Sequence, residues 1–114
     1  MEGRIIYIPF KIELANSFIT RLKGLMFRKD PISDEGLWII PCNGVHMFFM
    51  RFPIDIVLLN KQNKVVRVYT NLKPWRMTKP IKEAHSTLEL PAGSAEFFDI
   101  KEGCFIHCTT LNKN

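Results

Sequence analysis

The chain has 114 residues, the size of one ordinary domain, so we expect a single domain over residues 1–114. Its 46% hydrophobic and 24% charged residues are typical of a globular protein and exclude a disordered or low-complexity chain. The net charge of +5 is uneven: between Arg51 and Lys82, eight basic residues accompany one acid. Such a segment favours an acidic partner or nucleic acid, or it is simply a solvated surface.

Three features predict a cytoplasmic protein. The longest apolar stretch, 37–59, contains Arg51 and Asp55, and each costs about 2.5–3.5 kcal/mol at the centre of a bilayer. No membrane span is therefore predicted, and the N-terminus lacks the apolar run of a secretion signal. An odd number of cysteines argues against a disulfide framework and for free thiols in a reducing compartment. The cysteines are Cys42, Cys104 and Cys108.

The first third of the chain predicts a strand, a helix and a second strand. Alternating apolar residues over 6–14 predict one strand, with Pro9 indicating a sheet edge. A polar cap followed by apolar residues at helical spacing predicts a helix of about three turns over 16–28. Turn-forming residues at 29–36 predict a loop, and 37–40 is a short apolar strand.

The stretch from His46 to Leu59 is the most informative part of the sequence. In an extended chain, alternate side chains point to opposite faces, which places Arg51 and Asp55 together on one face and His46 on the other. Beyond Asp55 both faces are apolar, so this strand should be buried on both sides. Pro53 can bend or bulge the strand, which leaves open whether these three polar residues share one cavity.

The second half of the chain predicts short strands separated by turns. A hairpin turn at 60–64 leads into a return strand over 65–70, with Val66 and Val68 facing inward, and then into a basic loop over 71–86. The remaining elements are a strand over 87–90, a short helix over 94–100 capped by Ser94, and a last strand over 104–108. This pattern predicts an α+β, mostly β fold: a small curled mixed or antiparallel sheet, barrel- or sandwich-like, with one or two short helices.

Arg51 and Asp55 give the sharpest chemical signal. A charge on each side of Pro53, inside an apolar strand, is costly unless it is paired. Either both charges face water or pair structurally, for example with Glu89 or Arg67, or they form a polar site in an apolar wall. In such a site an arginine can hold a carboxylate or a phosphate with two parallel hydrogen bonds.

Other residues suggest weaker alternatives. Cys42 and His46 are the residue types of a zinc site or of a nucleophile and its base. A metal site would need the fold to bring further ligands together, namely His85, His107, Cys104 and Cys108. We therefore expect no cofactor and no metal. Trp75 and Arg76, in the basic loop, either stack on nucleic-acid bases or pin the loop over the core.

Four segments, taken in order, resemble one known protein family. They are 21–28 (RLKGLMFR), 41–55 (PCNGVHMFFMRFPID), 73–76 (KPWR) and 88–93 (LELPAG). Together they are similar to the prokaryotic family called domain of unknown function 192, from about Leu14 to Cys108. The resemblance implies a compact α+β domain with a curled sheet, and it implies no reaction. The family's recurrent positions are here Gly24, Leu25, Met26, His46, Met50, Arg51, Asp55, Pro74, Glu89 and Gly93.

These observations favour a non-catalytic binding or accessory domain with an apolar cleft and an anion-compatible arginine. The expected partner is a small anionic ligand or a protein. One alternative is an enzyme acting on a small anionic substrate, with His46 as general acid or base and Arg51 as anion clamp. The other, less favoured, is nucleic-acid binding through 51–82. The candidate binding residues are His46, Met50, Arg51, Asp55, Trp75, Arg76 and Glu89.

Overall fold

The computed structural model describes residues 3–16, 25, 28–47 and 50–112. Within these ranges the regular structure is mostly strand, with one short helix. The elements are β1 (Ile5–Tyr7), β2 (Lys11–Ala15), β3 (Glu35–Ile39), β4 (Ile54–Leu59), β5 (Val65–Leu72), β6 (Ser86–Pro91), α1 (Ser94–Phe97), β7 (Phe105–His107) and β8 (Thr110–Asn112). The expectation of a mostly β fold is confirmed.

Six strands form one mixed sheet in the order β5-β4-β6-β3-β2-β8. In this sheet β4 lies antiparallel between β5 and β6, and β6 is antiparallel to β3. Strand β2 runs parallel to both of its neighbours, β3 and β8. A separate two-stranded sheet pairs β1 with β7 in parallel. The sheets are mixed as predicted, but they do not close into a barrel.

Strand β4 lies at the centre of the core. All six of its residues are buried, as the run of apolar residues on both faces predicted. Alternate side chains enter two different apolar clusters. We call them the Val57 layer, which also holds Leu59, and the Ile56 layer, which also holds Ile54 and Leu58. The six-stranded sheet is therefore covered by apolar side chains on both faces.

The strand predicted over 6–14 is wrong in one respect, because the structure divides it into β1 and β2 in different sheets. Pro9 lies between them. A proline has no backbone N–H to donate to a continuous ladder, so the pairing breaks there. The apolar alternation nevertheless marks burial correctly, since Ile6, Ile8 and Ile12 all lie in the Val57 layer.

Strand β5 is longer than predicted and its pairing with β4 has two irregularities. The first lies between Leu58 and Leu59 of β4, where the paired residue of β5 changes from Arg67 to Val65 and leaves Val66 as an extra residue. An extra residue in a strand turns the following side chains to the other face. As a result Val66 packs against the Ile56 layer and Val68 against the Val57 layer, and the two valines do not share one inward face.

The helical predictions fare differently. The helix over 16–28 falls mostly outside the described residues. The second helix is shorter than predicted, and Ser94 does not cap it: its hydroxyl donates to the carbonyl of Pro91 at 2.6 Å. None of the helical residues that the structure describes belongs to a segment with the length and apolar character of a transmembrane helix.

Gly36 marks the closest approach of β3 to its surroundings. A Cβ atom at this position would lie 2.7 Å from the carbonyl oxygen of Glu89 and 2.9 Å from side-chain atoms of Ile12 and Leu90. We expect Gly36→Ala to lower the free energy of unfolding by about 1–3 kcal/mol, measured by urea denaturation, because the strands must move apart. In Gly44→Ala the new methyl group meets nothing closer than 3.3 Å. Equal losses in the two variants would contradict this prediction.

Candidate functional site

Asp55 is a fully buried carboxylate at the centre of the sheet. Its Oδ1 accepts a hydrogen bond from the backbone N–H of Asn71 at 2.8 Å. Its Oδ2 accepts from the N–H of Gly93 at 3.1 Å and from the N–H of Ala95 at 2.8 Å. Burial of a carboxylate is costly unless its oxygens are hydrogen-bonded, and these three donors meet that need. Asp55 therefore ties β4 to β5 on one side and to the start of α1 on the other.

The residues that donate to Asp55 have backbone conformations that suit their types. Asn71 lies at the second irregularity of β5 with φ of 52°, a left-handed conformation that asparagine tolerates. Gly93 has φ of 95°, which favours glycine. The local sequence thus provides two turns whose N–H groups meet one carboxylate.

Arg51 and Asp55 have separate environments. The side chain of Arg51 is exposed, whereas Asp55 is sealed in the sheet. Among the residues that the structure describes, no ion pair joins the two. Asp55 satisfies its charge with backbone donors, so it needs neither Arg51 nor Arg67. Glu89, the acid predicted as a partner for Arg51, is buried in the interior.

Glu89 is a second buried carboxyl, in a different setting. It lies on β6 opposite Leu37 of β3 and Ile56 of β4, both members of the Ile56 layer. The side chain is 5% exposed, and its Oε1 has no hydrogen-bond partner. Burial raises the pKa of Glu89 from its ordinary value of 4.5 to about 8. At pH 7 the carboxyl group of Glu89 is therefore protonated and neutral. Met50 is also buried in the Ile56 layer, so it belongs to the core and not to the surface.

His46 meets the loop that carries Trp75. An antiparallel bridge pairs His46 with Met77 and joins residues 45–47 to residues 75–78. Backbone and hydroxyl groups hold the two segments together. The bonds run from Met47 N–H to Arg76 O (2.6 Å), from Trp75 N–H to Met47 O (2.8 Å), from Thr78 N–H to Val45 O (2.8 Å) and from Val45 N–H to Thr78 Oγ1 (2.9 Å).

The segments 45–47 and 75–78, joined by these hydrogen bonds, form a backbone clamp. This clamp presents large apolar side chains to solvent. Trp75 is 59% exposed and Met77 is 66% exposed. His46 and Arg76 are exposed in the same two segments, and Lys73 is exposed two residues before Trp75. We call these five residues the Trp75 surface. Trp75 itself has φ of 68°, which is uncommon for a bulky residue.

An open groove runs beside the Trp75 surface. Its volume is about 480 Å³, and it is lined by residues 68–73 of β5 and its end, together with Arg76. The lining combines the outer edge of β5 with the cations Lys73 and Arg76. Among the described lining residues there is no acid, so the groove and the Trp75 surface form one continuous basic and apolar region.

The cysteines do not converge with the predicted histidine. All three are free thiols. The thiol of Cys42 donates to the carbonyl of Gly44 at 3.0 Å, and Cys42 lines a cavity of about 250 Å³ with His85 rather than His46. Cys104 is buried, and burial raises the pKa of the Cys108 thiol to about 11. In the described ranges no three histidine, cysteine or acidic side chains are placed to hold a metal ion.

Of the seven candidate residues, the structure brings His46, Trp75 and Arg76 together on one surface. It places Met50, Asp55 and Glu89 in the interior, and Arg51 on the outside. The sequence analysis missed Met77 and Lys73. The left-handed turn at Trp75 breaks the alternation of an extended strand, so residue spacing does not reveal Met77. The available signal was an aromatic and a methionine among the basic residues of one loop.

The fold and the site define a small mixed-β domain with a preformed apolar surface flanked by cations. The chain belongs to the DUF192 family, described as an uncharacterized ACR, whose profile matches residues 3–108. The resemblance seen in the sequence is thereby confirmed.

Relatives in this family carry no assigned activity in their names. The UPF0127 protein TK1120 of Thermococcus kodakarensis is 33% identical over 104 residues, covering 87% of this chain and 65% of its own length. The UPF0127 protein PF1050 of Pyrococcus furiosus is 36% identical, covering 84% of each chain. The chain thus spans about two thirds of the first relative. A solved structure from Novosphingobium aromaticivorans, of a protein of unknown function, has a TM-score of 0.73 at 29% identity, covering 82% of this chain and 71% of that one.

Proposed function

We propose that this chain is a non-catalytic binding module that holds an anionic partner on the Trp75 surface. The observation that carries the proposal is an exposed tryptophan and methionine, held in place by a backbone clamp and flanked by Lys73 and Arg76. Contiguous apolar side chains exposed on a folded domain are typical of interaction sites. A surface that is already ordered loses little conformational entropy on binding.

The backbone at Trp75 supports this proposal. A non-glycine residue in the left-handed region costs about 1–3 kcal/mol and persists only where its surroundings hold it. The hydrogen bond from Trp75 N–H to Met47 O, with Met47 buried in the core, provides that support. The left-handed backbone at Trp75 thus lowers the stability of the fold while the indole ring stays exposed. A purely structural loop would not require this arrangement.

The charges of the surface favour an anionic group as the part recognised. An arginine guanidinium matches the geometry of a carboxylate or phosphate and binds it with two hydrogen bonds. Arg76 and Lys73 are both exposed, lie within two residues of Trp75 in the chain, and are joined by a backbone hydrogen bond from Arg76 N–H to Lys73 O at 3.3 Å. Arg51 is exposed as well and stays a candidate. The interior carboxyls contribute to this function only by shaping the domain beneath the surface.

An enzymatic role for His46 has less support. Acid–base catalysis usually needs a second group that orients or assists the histidine. Asp55 is committed to three backbone donors, and Glu89 is sealed among apolar side chains. Neither interior carboxyl is therefore available to His46 as a catalytic partner.

The proposal predicts that poly-L-glutamate binds saturably and changes the fluorescence of Trp75. The other tryptophan, Trp38, is buried and donates a hydrogen bond to Ser86 at 2.8 Å, so it should respond little. Arg76→Glu should weaken binding about tenfold, because a cation facing the anion becomes a like charge. The measurement is a fluorescence titration at physiological ionic strength.

Lys61→Glu is the matched control for this titration. Lys61 is exposed in the turn at the far end of the β4–β5 hairpin, and its replacement changes the net charge by the same amount. It should bind poly-L-glutamate nearly as well as the unchanged protein. If both variants lose affinity equally, binding reflects overall charge, and the Trp75 surface is not the site. Tighter binding of oligothymidylate than of poly-L-glutamate would favour the nucleic-acid alternative instead.

A further inference from the structure

We propose that the partner is an extended acidic polypeptide segment, which adds as a further strand along the outer edge of β5. This inference rests on the proposed function and names the class of partner. An extended segment that joins a sheet edge gains affinity from main-chain hydrogen bonds, and side-chain pockets then supply specificity. The edge, the groove and the charges beside β5 each support this assignment.

The outer edge of β5 is open over most of its length. At its beginning the edge is covered, because Val65 N–H donates to Cys104 O at 2.7 Å and Gly103 N–H donates to Val65 O at 2.9 Å. From Arg67 to Leu72, the strand makes no backbone hydrogen bond to another described residue on the side away from β4. At about 3.3 Å per residue, this stretch offers roughly 20 Å of edge to a partner strand.

The groove beside this edge has room for another chain. Residues 68–73 form one wall, and Arg76 of the Trp75 loop stands opposite them. A volume of about 480 Å³ accommodates several residues of an extended peptide, which lies about 4.8 Å from its neighbour strand. Lys73 and Arg76 of the Trp75 surface line this groove, so a segment placed there contacts the strand edge and these two cations together.

The charges along the edge of β5 determine which kind of polypeptide segment can bind there. Arg67, Lys73 and Arg76 lie along the edge and the groove. Arg67 lies 3.9 Å from Glu102 in a long ion pair whose side chains are largely exposed, and it donates a hydrogen bond to the Tyr69 hydroxyl at 3.3 Å. Cations on an edge strand discourage two copies of one protein from pairing edge to edge. The same cations attract an acidic segment, so they exclude the second copy and select the acidic peptide.

The probe is a fluorescein-labelled peptide of about six residues with alternating glutamate and valine, matched in length to the open edge. Its comparison peptide has the same sequence with every backbone amide N-methylated, which keeps the charges but removes the donors of a β-ladder. We expect the parent peptide to bind saturably in fluorescence anisotropy and the methylated peptide to bind at least about tenfold more weakly. Arg76→Glu should weaken the parent peptide, and Lys61→Glu should not.

Amide hydrogen exchange locates the same event on the protein. With parent peptide bound, the amides of residues 67–70 should exchange more slowly, whereas those of the turn at 60–64 should not change. If both peptides bind equally and both lose affinity in Arg76→Glu, strand addition is overturned and the proposed function stands. If neither peptide nor poly-L-glutamate binds, both proposals are overturned. Slowed exchange confined to residues 45–47 and 75–78 would likewise exclude strand addition.

Discussion

Replacing Asp55 by alanine is expected to lower the free energy of unfolding by about 3–5 kcal/mol. The change removes the shared acceptor of three backbone N–H groups, those of Asn71, Gly93 and Ala95. Each group loses a charge-assisted hydrogen bond, and the loss is largest at Ala95, which is buried and cannot be solvated instead. Since domains of this size are stable by about 5–15 kcal/mol, the loss is a large part of the total. Urea denaturation followed by circular dichroism measures it.

Asp99 provides the control for this prediction. It is an exposed aspartate that pairs with Arg4 at 3.1 Å and with Lys101 at 3.3 Å on the surface. Asp99 has a φ of 56°, which asparagine tolerates as aspartate does, and exposed ion pairs contribute about 0–1 kcal/mol, so Asp99→Asn should change stability little. A loss below about 1 kcal/mol in Asp55→Ala would show that its three hydrogen bonds do not stabilise the fold as the geometry indicates.

Stability is expected to decrease as the pH rises from about 5 to 8, because of Glu89. Burial raises the pKa of this carboxyl to about 8 in the folded state, whereas its ordinary value is 4.5. Within this window the folded protein keeps the proton and the unfolded chain releases it, so rising pH favours unfolding. The stabilising contribution of protonated Glu89 to the free energy of unfolding is fully present below pH 4.5 and is lost as the pH rises through 8. One such group changes the free energy of unfolding by up to about 1.4 kcal/mol per pH unit.

Glu89→Gln should remove this pH dependence, because glutamine has nearly the same shape and does not titrate. Relative to the unchanged protein, the variant should gain stability as the pH rises, with the largest difference near pH 8. Urea denaturation at several pH values measures both proteins. Glu96→Gln, at an exposed position of α1, should leave the pH dependence as it is. Parallel curves for Glu89→Gln and the unchanged protein would contradict the assignment.

The core of the fold could be predicted from sequence because the signal is local. The apolar run of β4 occupies both faces of consecutive residues, which is enough to identify a strand buried on both sides. The break at Pro9 was only partly predicted: proline indicated an edge, but the sheet to which each half belongs depends on β7 and β8, near the other end of the chain. Local patterns carry no information about such distant partners.

The candidate site likewise contains residues that local sequence patterns identified and residues whose role depends on distant contacts. Trp75 and Arg76 were found because an aromatic among basic residues is a local signal. The role of Asp55 was not found, because its donors are 16, 38 and 40 positions away and are backbone groups, which every residue type provides. The charge pattern predicted that Asp55 faces water, pairs with Arg67, or forms a polar site together with Arg51. The structure instead satisfies that charge with N–H groups, a solution that leaves no mark on side-chain composition.

The parallel pairing of β1 with β7 has a consequence for synthesis of the protein. Ile5 lies opposite Phe105, and Tyr7 lies opposite His107. Strand β1 therefore cannot form its pairing until β7, close to the other end of the described chain, has been synthesised. On the ribosome, Ile6 and Ile8 leave the exit tunnel long before the strand that completes their layer exists. Contacts this distant in sequence form slowly. We therefore expect the nascent chain to expose these isoleucines until translation is nearly complete, a period in which a chaperone that binds short apolar segments would recognise it.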